Sequence, residues 1–166
     1  MTVLGMSLET FTLVHVLISL AGIGTGFIVV YGLLNAKRLD GWTAIFLTTT
    51  VLTSVTGFMF PFEHLLPSHK VGIISLVVLT IAILARYVFY LAGGWRRTYV
   101  LTAVLAFYLN CFVAVVQSFL KIPALKAMAP TQKEPPFLVA QLIVLTIFIA
   151  LAIMATKKFH PEAARA

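Results

Sequence analysis

The sequence contains very little charge. Only 10% of its 166 residues are Asp, Glu, Lys or Arg, whereas 61% are hydrophobic and the mean hydropathy is +1.05. A soluble domain of this size needs a largely polar exterior, so the composition excludes a soluble enzyme or a soluble binding module. The protein is therefore predicted to reside in a membrane.

Cysteines and catalytic motifs are also scarce. Cys111 is the single cysteine, so the chain forms no internal disulfide and gives no indication of its redox compartment. The sequence has no GxGxxG, CxxC, HExxH or phosphate-binding loop, and no internal repeat. It also shows no nucleophile–base pair or carboxylate dyad at a useful spacing. A membrane enzyme stays open as a class, but no catalytic residue is assigned.

Five long apolar runs occupy most of the chain, at 11–34, 42–60, 71–91, 99–120 and 137–155. About 20 apolar residues in a helix span the ~30 Å hydrocarbon core of a bilayer. The pattern predicts an all-α integral membrane protein, a bundle of about five transmembrane helices. Residues 1–166 form a single domain, and the connection 121–136 is predicted to be a partly helical cap.

The basic residues indicate an orientation in the membrane rather than a nucleic-acid partner. The net charge of +7 comes mainly from short connections between the apolar runs. One side carries Lys37, Arg38, Arg96, Arg97, Lys157, Lys158 and Arg165, and the other carries Lys70, Lys121, Lys126 and Lys133. The side richer in Lys and Arg is normally cytoplasmic, which predicts an outer N-terminus and a cytoplasmic C-terminus. The predicted partner is the lipid bilayer, without nucleic acid.

Three of the four histidines are predicted to lie at the outer side. His64 and His69, with Glu63, occupy the connection between the second and third runs, and His15 lies near the start of the first. Imidazoles and carboxylates are common ligands of transition metals. The predicted metal group is therefore His15, His64, His69 and Glu63.

Haem b is the alternative cofactor. His15, with His69 or His64, would supply axial imidazoles, and an apolar slot between helices would hold the macrocycle. Gln117 and Gln141 are predicted near the same surface, where they contact each other, line a cavity or contact His15. The histidines are equally compatible with ordinary interfacial side chains that bind nothing.

Arg86 lies toward the inner end of the third run, beside Tyr87 and Tyr90. A charged side chain inside a span is costly unless it reaches the interface or finds a partner. Snorkelling to the inner surface is the main expectation for Arg86. Binding of an acidic group on a lipid, quinone or haem is the other, and it places Arg86 among the candidate cofactor-binding residues.

Four segments resemble a group of small bacterial inner-membrane proteins of unassigned function. They are 56–61, which begins Thr-Gly-Phe and ends at proline, Leu-Pro-Ser-His-Lys-Val-Gly at 66–72, Ala-Arg-Tyr at 85–87 and Pro-Ala-Leu-Lys at 123–126. The resemblance implies a bacterial cytoplasmic membrane and a multi-pass protein. It implies no catalytic residues.

Three functions follow from these patterns. The first is a haem- or metal-binding protein of a membrane redox system, with its site built around the outer histidines. The second is a non-catalytic accessory subunit of a larger membrane complex. Other membrane subunits, or further copies of the chain in a homo-oligomer, are the candidate protein partners. The third is a small-solute or ion permease that uses the threonine-rich second run and the Asn110–Gln117 face of the fourth.

Overall fold

The computed structural model describes residues 2–61 and 67–161 and shows a helical bundle. The helices are α1 (Leu8–Leu34), α2 (Asp40–Gly57), α3 (Pro67–Ile83), α4 (Gly94–Lys121), α5 (Pro123–Met128) and α6 (Pro135–Lys158). A π-helical segment, Leu84–Val88, continues α3. Each predicted apolar run coincides with a long helix, and the short α5 lies within the connection predicted to be partly helical.

A two-stranded hairpin precedes α1. Strand β1 (Thr2–Val3) pairs antiparallel with β2 (Met6–Ser7), and the two turn residues, Leu4 and Gly5, have φ values of 51° and 77°. Positive φ at both central residues is typical of the tight turns that join antiparallel strands. Ser7 then caps α1, because its side-chain oxygen accepts a hydrogen bond from the backbone N–H of Thr10.

Four helical stretches are long and apolar enough to cross a membrane: Leu8–Leu34, Ser68–Val88, Gly94–Lys121 and Pro135–Lys158. They support a multi-pass membrane protein built as a helical bundle. Helix α2 is not among them, because six threonines and Asp40 lower the hydropathy of its 18 residues. The fifth crossing therefore stays a prediction.

The five long helices alternate in direction. At one end of the bundle, the start of α1 contacts the end of α2 through His15 and Thr56, and the start of α6 contacts the end of α4. At the other end, the π segment contacts the start of α4 through Arg86 and Tyr99. We call these the His15 end and the Arg86 end.

An aromatic cluster closes the bundle between the two ends. The ring of Phe107 packs against Phe27, Phe46 and Phe148, with centroid separations of 4.9, 6.2 and 5.0 Å. Gly26 of α1 allows this packing, because a Cβ at that position would lie 2.5 Å from Cδ2 of Phe107. The cluster lies between the His15 end and the Arg86 end.

Snorkelling to the inner surface was the main expectation for Arg86, and the structure does not show it. Arg86 is 1% exposed, and its Nη2 donates hydrogen bonds to the Asp40 carboxylate and to the backbone oxygen of Arg38. Its guanidinium carbon lies 5.0 Å from the centroid of the Tyr99 ring. The partner that makes a buried arginine tolerable is thus an acidic side chain at the start of α2.

Candidate ligand-binding cavity

A cavity of about 690 Å³ lies among α1, α2, α3 and α4 at the His15 end. On α4 its lining extends from Lys121, at the exposed end of the helix, inward to Asn110. Each of the four helices contributes hydroxyl side chains, and valine, leucine and phenylalanine side chains complete the wall. Its volume and mixed lining are typical of small-molecule sites.

The hydrogen bonds around His15 favour one protonation of its ring nitrogens. Nδ1 of His15 lies 2.7 Å from the hydroxyl oxygen of Thr56, and that hydroxyl donates its own hydrogen to the backbone oxygen of Leu52, also at 2.7 Å. A hydroxyl has a single hydrogen, so with that hydrogen on the Leu52 carbonyl, Nδ1 of His15 is the donor to Thr56. In the neutral ring, Nε2 therefore keeps its lone pair.

Both imidazoles on the cavity wall are held by aromatic rings near the end of α2. His15 approaches from α1 and meets the ring of Phe60 edge-on, with centroids 5.1 Å apart. His69 approaches from α3, is 4% exposed and lies 5.5 Å from the ring of Phe58. Gly72 leaves room for Phe58, since a Cβ there would lie 3.0 Å from that ring. Packing thus fixes the position of two potential ligands.

The deep end of the cavity is polar and uncharged. The hydroxyl oxygens of Ser54 and Ser75 lie 3.1 Å apart, within hydrogen-bond distance, and the amide nitrogen of Asn110 donates to the hydroxyl of Thr50 at 3.2 Å. The buried hydroxyl of Thr53 has no hydrogen-bond partner among the described residues. Neutral donors and acceptors are therefore available to a ligand at this depth.

The charged side chains in the described lining of the cavity have a single sign. Among the described lining residues, Lys121 is the one Lys or Arg, and none is Asp or Glu. The ion pairs found in residues 2–61 and 67–161 join Asp40 to Arg38 and to Arg86, at the opposite end of the bundle. The lining therefore favours a neutral or anionic ligand over an organic cation.

Three of the predicted site residues, His15, His69 and Gln117, line this one cavity. Glu63 and His64 lie outside the described residues. In the part of the chain that the structure describes, no three His, Cys, Asp or Glu side chains come together in a group that could hold a metal ion. The described part of the predicted metal group thus consists of two imidazoles.

Two other predicted cofactor-binding residues do not line the cavity. Gln141 joins α6 to α4, since its amide nitrogen donates to the backbone oxygen of Phe112 at 3.2 Å. Arg86 lies at the opposite end, bound to Asp40. The structure thus does not bring Gln141 to the cavity that His15 and Gln117 line, and it places Arg86 near the inner end of its run, where it was predicted. Cofactor binding by either residue stays a prediction.

Sequence reasoning missed Thr56 as the partner of His15, although a signal was present. The pairs His15–Thr56 and Phe11–Phe60 are each centred between residues 35 and 36, in the short connection between α1 and α2. Two helices joined by a short connection run antiparallel, so the start of α1 lies beside the end of α2. This signal places the partner of His15 in the last turns of α2, but the middle of the connection, residue 37, would pair His15 with Met59 rather than with Thr56.

No protein-family model, curated protein or solved structure matches the chain. The resemblance to small bacterial inner-membrane proteins therefore stays a prediction. The chemistry of the cavity is what carries a functional conclusion.

Proposed function

We propose that this membrane protein binds haem b in the cavity, with His15 as an axial ligand, and serves in a membrane redox system. The observation that carries the proposal is the chain of hydrogen bonds from His15 through Thr56 to the Leu52 carbonyl. Histidines that ligate metals usually donate their other ring N–H to a fixed acceptor, which sets the tautomer and the ring orientation. The bonds of His15 and Thr56 have this arrangement.

Haem suits the described residues better than a bare metal ion. A structural or catalytic metal ion usually takes three or four protein ligands, whereas the porphyrin supplies four nitrogens and needs one or two axial side chains. The cavity offers two imidazoles, those of His15 and His69. His69, on the α3 side, is the candidate for the second axial position.

The remaining wall suits an amphipathic macrocycle. Apolar side chains such as Val16, Val71 and Val113 line the cavity between its polar ends. An apolar wall with a few placed polar groups both binds such a ligand and fixes its orientation. When bound, the haem iron would supply one-electron redox chemistry, and the protein would supply ligation and exclusion of water.

The optical spectrum of the purified protein, expressed with haem available, tests the proposal. We expect oxidised and reduced bands typical of a histidine-ligated haem, and their loss in His15→Ala. His160→Ala is the matched control, because His160 is exposed and follows α6 at the Arg86 end. Absence of haem bands in the wild type, or their full retention in His15→Ala, would contradict the proposal.

A second candidate, a small-solute permease, is favoured by the polar deep end with its unpartnered Thr53 hydroxyl. Below it, the Phe107 cluster fills the bundle, so transport would require those rings to move. Solute flux into proteoliposomes distinguishes the two candidates. Flux that survives removal of haem would favour the permease.

We also propose five membrane crossings in a bacterial cytoplasmic membrane, with the His15 end outside. The alternating helix directions support α2 as the fifth crossing. Threonine and serine hydroxyls of α2 bond to carbonyls of their own helix, as in Ser54 to Thr50 and Thr56 to Leu52, which lowers the cost of placing them in lipid. The excess of Lys and Arg at the Arg86 end supports the orientation.

A further inference from the structure

We infer that the cavity selects a ligand with an anionic group, a carboxylate, and holds that group at its outer opening beside Lys121. The inference deepens the proposed function and rests on the cavity being a ligand site. For haem, the anionic groups are the propionates. The ligand would then sit with its charged edge outward and its apolar body between α1 and α4.

Charge balance is the first argument. A carboxylate that enters the cavity meets no acidic side chain among the described lining residues and one cation, Lys121. In residues 2–61 and 67–161, Lys121 forms no salt bridge, whereas Arg86 and Arg38 share Asp40. A charge-assisted hydrogen bond to an ammonium is roughly twice as strong as one between neutral groups.

The depth of each donor is the second argument. Lys121 is exposed and ends α4, and Gln117 lies one turn earlier on the same wall. Ser118 donates its hydrogen to the Ala114 carbonyl, so it has none left for a ligand anion. The amide of Gln117 and the ammonium of Lys121 are therefore the α4 donors near the opening.

The deep end of the cavity is a less favourable place for an anionic group than the opening beside Lys121. The polar groups of the deep end, among the described lining residues, are neutral hydroxyls and the Asn110 amide, and none of them carries a positive charge. Burying a carboxylate without a cation is strongly unfavourable. The charged end of a ligand is therefore expected at the opening, where solvent and Lys121 both reach it.

A purely structural role for Lys121 is the competing explanation. Lysine in the last turn of a helix interacts favourably with the helix dipole, and Lys121 occupies that position in α4. Such a role predicts a change in stability on substitution. It predicts no change in the preference between a charged ligand and its uncharged analogue.

The test compares metal-free protoporphyrin IX with its dimethyl ester, which lacks the carboxylate charges and needs no axial ligand. Affinities are measured by porphyrin fluorescence for the wild-type protein, Lys121→Gln and Lys126→Gln. Lys126 is the matched control, because it lies on α5, is exposed and does not line the cavity. We expect the wild type and Lys126→Gln to prefer the free acid by about tenfold, and Lys121→Gln to lose that preference.

Each outcome decides the inference. Equal affinity of the wild type for acid and ester, an equal loss in both variants, or no porphyrin binding would overturn it. Ester discrimination without a histidine-ligated iron spectrum would support the anion site and reject haem ligation. A histidine-ligated iron spectrum without ester discrimination would support haem ligation and reject the anion site.

Discussion

At the scale of single residues, the hydroxyl of Thr56 controls the chemistry of His15. It lies 2.7 Å from both Nδ1 of His15 and the Leu52 carbonyl oxygen, so its removal takes away the hydrogen bond that orients the imidazole. Loss of such a supporting group typically weakens metal binding by about 10- to 100-fold. We expect Thr56→Val to weaken haem binding by that factor in a haem-transfer titration, and Thr56→Ser to retain binding.

Thr80→Val is the control for that substitution. Thr80 is exposed on α3, and its hydroxyl bonds to the Leu76 carbonyl of its own helix, as the Thr56 hydroxyl does to Leu52. The two variants thus remove the same kind of hydroxyl, but one of them is bound to the imidazole. Equal haem affinities in Thr56→Val and Thr80→Val would rule out a role for the His15–Thr56 bond in ligation.

At the scale of helices, two nearby glycines of α1 should respond oppositely to alanine. A Cβ at Gly26 would lie 2.5 Å from the Phe107 ring, which cannot retreat because Phe46 and Phe148 surround it. A Cβ at Gly24 would meet nothing within 4 Å. We expect Gly26→Ala to lower the free energy of unfolding in detergent by about 1 to 3 kcal/mol. Gly24→Ala should be neutral or stabilise by up to about 1 kcal/mol.

The contact between the π segment and α2 contains the ion pair of Arg86 and Asp40. We expect the two partners to differ in how much stability is lost when each is replaced. Asp40→Asn leaves the buried Arg86 guanidinium without its counter-charge, and Nε and Nη1 of Arg86 already have no partner among the described residues. Arg86→Met removes the buried charge altogether. Asp40 then stays solvated, 3.3 Å from Arg38, and the Arg38 carbonyl keeps its bond from Thr43.

Thermal unfolding of the two variants measures this asymmetry. We expect Asp40→Asn to cost about 1 to 3 kcal/mol, because removing one partner strands a buried charge. Arg86→Met should cost less, limited largely to the lost cation–π contact with Tyr99 of about 0.5 to 2 kcal/mol. A larger loss for Arg86→Met would show that the guanidinium stabilises the bundle beyond this pair.

The helices were predictable from the sequence, but the side-chain contacts between them were not. Runs of about 20 apolar residues have few alternatives to a membrane helix, so each predicted run matched a long helix. Arg86 and Asp40 lie 46 positions apart in the chain, and their contact depends on how the π segment meets the start of α2. The bond from Gln141 to Phe112 was likewise not predictable, because helical periodicity shows which side of a helix is polar but does not show which neighbouring helix that side contacts.

At the scale of the whole molecule, the accessory-subunit hypothesis concerns the surface outside the cavity. Large apolar side chains are exposed along α6, among them Leu142, Ile143 and Ile147. Lipid and a partner helix would cover such a surface equally well. Purification in mild detergent from native membranes, followed by native mass measurement, separates these possibilities. A stable larger complex would support the subunit hypothesis, and a lone chain or homo-oligomer would count against it.

The direction in which the bundle crosses the membrane determines which compartment can load the cavity. The proposed five crossings would put Ser7 and Lys158 on opposite sides. Ser7 and the cavity opening would lie outside, because six of the described Lys and Arg residues assigned to a side lie at the Arg86 end and four at the His15 end. Single cysteines at these two positions, in a Cys111→Ala background, can be labelled in intact cells with a membrane-impermeant maleimide. We expect labelling of Ser7→Cys before permeabilisation and of Lys158→Cys only after it. Labelling of both on one side would reject the fifth crossing, and reversed labelling would place the cavity opening in the cytoplasm.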